Sequence, residues 1–324
     1  MEYTNLGRSG LIVSRVSLGS WLTIGNAIEQ ANSDALVRRA VELGVNLLDT
    51  ADVYNMGAGE TALGRAIKGL RREDLVIASK CYFPMSDDVN DRGLSRKHIH
   101  ESVRASLGRM GLDYLDLYQC HRPDPDTPLE ETVMAMDDLI RQGHILYWGV
   151  SYWPARLIVQ AVEFCRAQGF HPPISNQPPY NLLSREIEAE VIDASADAGV
   201  SQIVFSPLAQ GVLSGKYRAD GTAPDDARAK DGRVNRFIGR YLRPDCLQKT
   251  EELSRIAADV GATPSQVALA FCLRRPEVAS VIVGARTIEQ LEENVASVDV
   301  TLSADVLAEL DGVFPGPEVR DTAT

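Results

Sequence analysis

Short apolar runs alternate along this chain with longer stretches in which apolar residues recur at helical spacing. The first apolar run spans 16–18 and the last spans 278–283, and eight runs of this kind can be counted. Between them, positions such as Leu36, Val37 and Ala40 fall on one face of a helix. Strands that alternate with helices predict a parallel sheet, and eight such units in about 300 residues predict a closed barrel. The pattern therefore predicts an α/β fold, a (β/α)8 TIM barrel.

Element boundaries follow from the same pattern and from capping and turn residues. The predicted strands are 16–18, 46–49, 75–79, 114–119, 147–150, 174–177, 202–205 and 278–283. The predicted helices are 34–43, 60–67, 96–110, 128–142, 154–168, 185–198, 247–260, 264–273, 287–297 and 304–313. Ser33 and Ser95 are candidate helix N-caps, and the turn at 6–10 predicts an N-terminal β-hairpin. We expect additional C-terminal helices, one domain over 1–324, and a frayed tail from about 315.

Composition excludes several classes of function. The net charge is −12, which opposes binding to nucleic acid and to anionic membranes. No apolar run approaches the ~20 residues that span a bilayer, and no basic-then-apolar segment at the start predicts a secretory signal. Five cysteines without a CxxC pair are typical of free thiols in a reducing compartment. We expect a cytoplasmic protein with a small-molecule substrate and no nucleic-acid or membrane partner, while composition leaves homo-oligomer formation open.

Three motifs resemble sites that their context argues against. Residues 57–62 fit the dinucleotide fingerprint G-x-G-x-x-A, but they do not follow directly on a strand, as that fingerprint requires. Residues 211–217 resemble a phosphate-binding loop, but they are one residue short and lack the Ser or Thr that holds magnesium. His98 and His100 are two positions apart on a predicted helix, which favours a solvated helix surface. No group of Cys, His and carboxylate residues has metal-site spacing, so no metal is predicted.

Four polar residues lie at or just past the ends of three consecutive predicted strands. Asp49 ends the second strand, Tyr54 lies in the loop after it, Lys80 follows the third strand and His121 follows the fourth. In a closed parallel barrel the carboxyl ends of the strands lie on one face, where catalytic residues collect. Each residue alone could simply close the barrel mouth or pack on its rim. Their joint position predicts one active site.

This set of side chains is suited to protonating a carbonyl oxygen. A free tyrosine has a pKa of about 10, and a neighbouring Lys80 would lower it, so that Tyr54 becomes a usable general acid. Asp49 would keep Lys80 charged, and His121 would hydrogen-bond the carbonyl oxygen and stabilise the developing alkoxide. With no metal or nucleophile evident in the sequence, we expect hydride from a nicotinamide cofactor to attack the carbon. A lyase that uses Lys80 as a Schiff-base amine is an alternative, which a charged lysine disfavours.

Motifs along nearly the whole chain resemble the aldo-keto reductase family. The resemblance is carried by 6–10, 49–54, 79–80, 120–124, 149–151, 205–211, 214–217 and 284–286. Segments 92–98, 126–131 and 147–149 resemble the branch that contains the β-subunits of voltage-gated potassium channels, and bacterial glyceraldehyde-3-phosphate-type reductases share much of this pattern. The resemblance implies a barrel that binds NADPH in extended form across its C-terminal mouth. By that resemblance the catalytic residues are Asp49, Tyr54, Lys80 and His121.

The same resemblance implies a set of cofactor-binding residues. Near the nicotinamide lie Gly19, Ser20, Trp21 and Asp49; Ser151 and Gln177 hydrogen-bond its carboxamide, and Phe205 stacks on its ring. The pyrophosphate loop comprises Ser206, Pro207, Leu208, Gln210, Gly211, Ser214 and Lys216. The adenosine end is contacted by Gly284, Arg286, Gln290, Glu293 and Asn294.

Basic and aromatic residues extend this expectation. Lys216, Arg228 and Arg286 could bind phosphates on an otherwise acidic protein, and the fork of an arginine suits a 2′-phosphate, which favours NADP(H) over NAD(H). The glycine-containing loop 213–245 could close over the cofactor as a lid. An aromatic substrate pocket, favouring hydrophobic carbonyl compounds, is expected to be lined by Trp21, Tyr54, Tyr82, His121 and Trp153.

Departures from the family pattern keep a second hypothesis open. His121 stands where the channel β-subunits carry Asn, which favours a working NADPH-dependent reductase of aldehydes and ketones, reversible toward alcohol oxidation. The alternative is a cofactor-bound regulatory subunit with weak catalysis. Phe205 stands where relatives usually carry Trp or Tyr, and it retains a ring face for stacking. Cys81 and Cys120 are expected to be buried packing residues, because strand neighbours of Lys80 and His121 point to the opposite face; redox sensing is a minor hypothesis.

Overall fold

Eight parallel strands close into a barrel in the computed structural model, which describes residues 1–218, 229, 232 and 237–317. The antiparallel hairpin before it consists of β1 (Tyr3–Asn5) and β2 (Ile12–Ser14). The barrel strands, in chain order and in order around the ring, are β3 (Val16–Gly19), β4 (Leu47–Asp49), β5 (Val76–Cys81), β6 (Leu115–Cys120), β7 (Ile145–Val150), β8 (Ser175–Asn176), β9 (Ser201–Phe205) and β10 (Val278–Val283). β10 pairs with β3, which closes the ring. The predicted (β/α)8 barrel and its N-terminal hairpin are confirmed.

Helices alternate with these strands and cover the barrel. They are α1 (Gln30–Glu42), α2 (Ala58–Ala66), α3 (Arg96–Met110), α4 (Leu129–Arg141), α5 (Ala155–Gln168), α6 (Val191–Ala198), α7 (Pro244–Asp259), α8 (Pro264–Leu273), α9 (Ile288–Val295) and α10 (Ala304–Val313). Two helices, α7 and α8, lie between β9 and β10, and α10 follows α9. The additional C-terminal helices are therefore also confirmed.

A local side-chain hydrogen bond explains where α3 begins, whereas no side-chain cap marks the start of α1. Ser95 accepts a hydrogen bond from the His98 N–H at 3.2 Å and caps α3, as predicted. The prediction that Ser33 caps α1 is wrong. That helix begins earlier, at Gln30, and the Ser33 hydroxyl donates to the carbonyl of Glu29 inside its first turn. A serine within a helix can satisfy its hydroxyl in this way, so it does not by itself mark a helix start.

The predicted helix over 185–198 is interrupted. A 3₁₀ turn, Glu186–Glu188, comes first, and Glu190 has φ −153°, outside the helical range, before α6 begins. Glu188 is drawn into an ion-pair network with Arg185, at 2.7 Å, and with Arg274 beyond α8, at 2.8 Å. The contact with Arg274 comes from a distant part of the chain, so local periodicity does not detect it.

Neighbouring strand residues face opposite sides of the barrel wall. Leu47 belongs to the core inside the barrel, whereas Leu48 belongs to the core between the strands and the helices. In β5 the residue Ala78 faces inward. The same alternation turns Lys80 inward and places Cys81 in the outer core, and both are fully buried. The two-residue period of β5 thus delivers a lysine into the barrel mouth.

The length and apolar character of the helices can be compared with what crossing a bilayer requires in the described part of the chain. No single helix there is long and apolar enough to cross a bilayer. Helices α7 and α8 reach the necessary length and apolar composition only when they are counted as one segment, and a bend of 89° separates them. In α8, Ser265 and every residue from Val267 to Cys272 are buried within the protein.

Candidate active site

The four predicted catalytic residues meet at the carboxyl end of the barrel. Asp49 is the last residue of β4, Lys80 lies one residue before the end of β5, and His121 directly follows β6. Tyr54 lies in the loop between β4 and α2. Asp49, Tyr54 and His121 line a cavity of about 1320 Å³, and Lys80 is fully buried beside them. The fold brings together the four residues that the sequence placed at three strand ends.

Lys80 holds this group together. Its Nζ donates to Asp49 Oδ1 at 2.7 Å, to the Thr50 carbonyl at 2.7 Å and to the Tyr54 hydroxyl at 3.4 Å. Burial acts to lower the pKa of Lys80, but the charge of Asp49 and the contact with Tyr54 outweigh it, so that the pKa is raised. Lys80 is therefore an ammonium at neutral pH. A Schiff-base mechanism needs a neutral amine, and this environment disfavours it.

The second oxygen of Asp49 is also occupied. Gln177 Nε2 donates to Asp49 Oδ2 at 2.9 Å, and Gln119 Nε2 lies 3.4 Å from the same atom. The Ser151 hydroxyl in turn donates to the Gln177 carbonyl at 2.8 Å. Asp49 is 3 % exposed, so these bonds fix both oxygens inside the protein. The carboxylate therefore orients Lys80 through one oxygen and is itself held through the other.

Tyr54 keeps its proton at neutral pH. Burial is the largest influence on its pKa and raises it, Lys80 acts in the opposite direction, and the net direction is upward. The sequence-based expectation of a lowered pKa is therefore wrong in its net direction, although the contribution of Lys80 has the expected sign. Because a general acid must be protonated before it acts, the raised pKa places Tyr54 in the required form.

His121 is a neutral imidazole against the wall of the cavity. Burial, followed by the positive charges of Lys80 and Arg122, lowers the pKa of His121 well below its usual range. Its ring centroid lies 5.7 Å from that of Tyr54, in an edge-to-face arrangement. Within the described residues, its Nδ1 is buried without a hydrogen-bond partner. The side chain is thus placed to meet a polar atom beside Tyr54 without carrying charge.

A second buried acid supports the loop that carries Tyr54. Asp52 accepts hydrogen bonds from the Val53 N–H at 2.6 Å and from the Ser102 hydroxyl at 3.0 Å. Burial, together with nearby Glu60, raises the pKa of Asp52 to about 7. Glu60 itself is paired with Arg109 at 2.6 Å. Sequence reasoning missed this cluster, because its members come from α2, α3 and a loop that only the fold brings together.

The predicted cofactor-binding residues follow the same cavity. It is lined by Gly19, Ser20, Trp21, Asp49, Ser151, Gln177, Phe205, Ser206, Pro207, Leu208, Gln210, Gly211, Ser214, Lys216, Gly284, Arg286, Gln290, Glu293 and Asn294. Arg228 lies outside the described residues, as do 219–228, 230–231 and 233–236 of the predicted lid. One continuous surface therefore joins the catalytic group to the region of α9.

The wall of the cavity offers features that fit a dinucleotide. Phe205 ends β9 with its ring half-buried and 6.3 Å from that of Trp21. The turn that follows contains positive φ angles at Ser206, Ala209 and Gln210, of 53°, 47° and 62°. Positive φ angles are uncommon in residues other than glycine and cluster where loops meet ligands. The donor chemistry and the shape of the cavity fit an elongated anionic cofactor.

Positive charge and a helix start complete this fit. Lys216 packs against the same turn. If Gly211 carried a Cβ atom, that atom would lie 3.3 Å from the Nζ of Lys216. At the other end, the Arg286 N–H donates to Gln290 Oε1 at 2.9 Å, and Thr287 caps α9. Phosphate groups are favoured beside such N-terminal helix ends and basic side chains.

Two predicted substrate-pocket residues do not line the cavity. Trp153 is 3 % exposed and belongs to the outer core, and Tyr82 is also absent from the cavity wall. Their neighbours Tyr152 and Phe83 line it instead. Tyr152 has φ 63°, and this left-handed turn after β7 directs the next side chain into the core. The aromatic character predicted for the pocket is retained with a different pair of side chains.

Sequence reasoning missed further wall residues, among them Arg122 and Phe237. Arg122 directly follows His121, so its place in the 120–124 motif was a usable signal. Phe237 lies with its ring centroid 4.9 Å from that of Trp21 and comes from the long polar loop, where no pattern singled it out. Both change the character of the pocket, the first by adding a cation and the second by adding an aromatic wall.

Buried cysteines and histidines lie outside this chemistry. Cys81 and Cys120 are fully buried, as expected for packing residues, and burial raises the pKa of both thiols. His98 is 1 % exposed, so the predicted solvated histidine surface is wrong at that position, because α3 turns this side chain into the protein. Within the described residues, no three His, Cys, Asp or Glu side chains are grouped as a metal site would require.

Comparison with known proteins agrees with this geometry. The model of the aldo/keto reductase family matches residues 15–314. A protein of Oryza sativa subsp. japonica named as a probable voltage-gated potassium channel subunit beta is 41 % identical over 99 % of this chain and 98 % of its own length. One of Arabidopsis thaliana with the same name is 42 % identical over the same shares, and a putative subunit of Schizosaccharomyces pombe is 40 % identical over 95 % and 92 %. This chain belongs to the aldo/keto reductase family.

Proposed function

We propose that this protein is an NADP(H)-dependent reductase that converts aldehydes and ketones to alcohols, and that can run in reverse. One observation carries the proposal: the buried Lys80 ammonium contacts both Asp49 and the Tyr54 hydroxyl, and His121 lies beside that hydroxyl on the cavity wall. Family membership supports oxidoreductase chemistry on carbonyl compounds.

Each of these side chains has a distinct task in the proposed reaction. Tyr54 donates its proton to the carbonyl oxygen, and Lys80 stabilises the phenolate that remains. Asp49 keeps Lys80 charged throughout, and neutral His121 hydrogen-bonds the carbonyl oxygen and orients the substrate. When bound, a reduced nicotinamide dinucleotide supplies the hydride that the carbonyl carbon gains, while the oxygen gains the Tyr54 proton and the product is an alcohol. A proton from solvent then restores Tyr54.

The choice of NADP(H) rests on charge. Lys216 and Arg286 are cationic wall residues on a protein with a net charge of −12. The arginine fork binds a pair of phosphate oxygens, and a 2′-phosphate offers such a pair. Phe205 would stack on the nicotinamide ring, while Ser151 and Gln177 would hold its carboxamide. We accordingly place the adenosine end near α9 and the reactive end near Tyr54.

The proposal is tested by following a labelled hydrogen. NADPH deuterated at C4 of the nicotinamide is incubated with the protein and a panel of aromatic and aliphatic aldehydes and ketones, with deuterated NADH as the comparison. Deuterium on the carbinol carbon of the product, formed faster from NADPH, is the expected result. Failure to form any labelled alcohol would refute the proposed reaction, and equal rates with both cofactors would refute the proposed cofactor preference.

A second candidate function is a cofactor-binding regulatory subunit with weak catalysis. The observation that favours it is the similarity to three relatives that are named as probable or putative voltage-gated potassium channel beta subunits. Such a role implies a protein partner and is compatible with a homo-oligomer. The complete arrangement around Tyr54 favours the reductase. Tight NADPH binding with negligible turnover on every carbonyl compound would instead favour the regulatory subunit.

A further inference from the structure

Arg122 is a cation on the wall of the cavity that has no role in the proposed reaction. Arg122 directly follows His121, is half-buried and lines the cavity. Its Nη1 donates to the His121 carbonyl oxygen at 2.5 Å. In the described part of the chain, no carboxylate forms an ion pair with it; burial lowers its pKa, and the tyrosines 54, 82 and 152 act in the opposite direction.

Several half-buried arginines elsewhere in the described structure have acceptors within the protein, either a carboxylate or, for Arg15, the backbone carbonyls of Val278 and Leu273. Half-buried Arg72 lies 2.6 Å from Asp116, and half-buried Arg109 lies 2.6 Å from Glu60. Burying a cation without a paired anion is costly, because the charge loses hydration without gaining a partner. An arginine in a cavity that lacks such a partner is therefore suited to an anion that arrives from outside.

The nearest acid along the chain is already engaged. Asp124 Oδ2 accepts hydrogen bonds from the Leu94 N–H at 2.7 Å and from the Thr127 hydroxyl at 2.8 Å. Its Oδ1 accepts from the Asp126 N–H at 3.0 Å. This carboxylate stabilises the loop after β6 and does not compensate Arg122, although only two positions separate them.

Two aromatic rings hold the guanidinium in place. Its Cζ lies 4.7 Å from the ring centroid of Tyr152 and 5.4 Å from that of Phe83. The Phe83 ring is in turn 5.0 Å from the ring of His121. Stacking of this kind orients an arginine before a ligand binds. The cation is therefore positioned in advance and lies next to the histidine that orients the carbonyl.

We propose that Arg122 binds a carboxylate of the substrate, so that the enzyme prefers oxo acids over neutral aldehydes and ketones. The proposal rests on the reductase function proposed above and replaces the expected preference for hydrophobic carbonyl compounds. A carboxylate is favoured over a phosphate because one guanidinium balances one charge, and the nearby ammonium of Lys80 is already paired with Asp49. The guanidinium fork also matches the two oxygens of a carboxylate.

Matched substrates test this directly. 4-Carboxybenzaldehyde is compared with its neutral methyl ester, methyl 4-formylbenzoate, and the readout is the ratio of the two kcat/KM values. The 2- and 3-carboxy isomers then locate the anion relative to the aldehyde, and 4-formylphenyl phosphate tests the alternative anion. We expect an acid-to-ester ratio of at least about ten, since hydrogen bonds between charged partners contribute more than neutral ones. A higher kcat/KM for the phosphate than for every carboxylate would overturn the carboxylate assignment.

Variants of Arg122 assign the preference to this residue. In Arg122→Met the acid-to-ester ratio should fall at least about tenfold, and in Arg122→Lys it should fall to an intermediate value, because charge is kept while the fork is lost. Arg104→Met removes an exposed arginine of α3 and serves as the matched control, with an unchanged ratio. A ratio that does not respond to Arg122→Met overturns the proposal, and the use of a ratio cancels any general loss of turnover.

Binding of benzoate separates this proposal from the reductase function. Calorimetry with benzoate and with neutral benzamide needs no turnover. Wild-type protein with NADP⁺ should bind benzoate at least about tenfold more tightly than benzamide, and Arg122→Met should remove the difference. If no aldehyde is reduced, the proposed reductase function is wrong, but the calorimetry still shows whether Arg122 binds an anion. Equal benzoate affinity in wild type and variant overturns the anion site even if neutral aldehydes are turned over.

Discussion

Breaking the buried pair of Asp49 and Lys80 from either side should cost more stability than removing both charges together. The two charged atoms are 2.7 Å apart, and their side chains are 4 % and 0 % exposed. At an effective dielectric constant of about 20, Coulomb's law gives an attraction of about 6 kcal/mol at this distance. Loss of hydration for both groups offsets much of this attraction, so the pair itself adds little net stability.

The single substitutions each leave one buried charge without its partner. In Asp49→Asn the ammonium retains only neutral acceptors such as the Thr50 carbonyl, and in Lys80→Met the carboxylate retains Gln177. We expect each to lower the free energy of unfolding by about 3–5 kcal/mol. The double variant removes both charges and leaves chiefly the Thr50 carbonyl unpaired, at about 1–3 kcal/mol. The coupling energy of the cycle should therefore be at least about 3 kcal/mol.

Urea unfolding at pH 7, followed by tryptophan fluorescence and by circular dichroism, measures this cycle. The exposed pair of Lys97 and Glu101 in α3 provides a control cycle, Lys97→Met with Glu101→Gln, in which the coupling should stay within about 0.5 kcal/mol. Reductase activity should be lost in all three variants of the buried pair, including the double variant, which is expected to be more stable than either single variant. A double variant whose loss equals the sum of the single losses would refute the reasoning.

Three further predictions address pH, polarisation and cofactor choice. The raised pKa of Asp52, about 7, means that the folded state holds a proton which the unfolded state releases near pH 4, so stability falls as pH rises. Between pH 5 and 8, the free energy of unfolding of the wild type should therefore fall by about 3 kcal/mol relative to that of Asp52→Asn, as measured by urea titrations. The exposed control variant Asp74→Asn should show the same pH dependence as the wild type. If Asp52→Asn also shows the wild-type pH dependence, the raised pKa of Asp52 is contradicted. His121→Asn should lower kcat/KM about a hundredfold. Because the pKa of His121 is well below its usual range, the plot of wild-type kcat/KM against pH should show no imidazole titration between about pH 6 and 7, and such an inflection would contradict the neutral state of His121. Arg286→Met should lower the NADPH-to-NADH ratio of kcat/KM at least about tenfold, and an unchanged ratio would place the 2′-phosphate elsewhere.

The barrel and the catalytic face could be predicted because they depend on local pattern. The apolar runs of the strands are buried on both sides, and the alternation of β5 fixes the direction of Lys80 relative to Ala78. Parallel strands in a closed barrel then place Asp49 and His121 at the same end, whatever the details of the helices. The barrel topology is therefore the main reason that these residues lie together.

Features that depend on packing between distant segments were not predictable in the same way. The left-handed turn at Tyr152 exchanges the expected Trp153 for its neighbour on the cavity wall. The raised pKa of Tyr54 depends on how deeply the loop is buried, which the presence of Lys80 alone does not reveal. The unpaired state of Arg122 depends on which bonds Asp124 makes. Each of these outcomes follows from three-dimensional neighbours that sequence spacing does not specify.

The most direct test of the central claim is NADPH oxidation by Tyr54→Phe, followed by absorbance with the best aldehyde found for the wild type. Tyr114→Phe is the matched control, because Tyr114 immediately precedes β6 at the opposite end of the barrel and packs its ring against Arg72. Binding of NADPH, measured by quenching of tryptophan fluorescence, shows whether the cavity is intact. We predict a loss of turnover of at least about a hundredfold in Tyr54→Phe with NADPH affinity retained, and little change in the control. Turnover within a few-fold of wild type in Tyr54→Phe would contradict the role of Tyr54 as the proton donor.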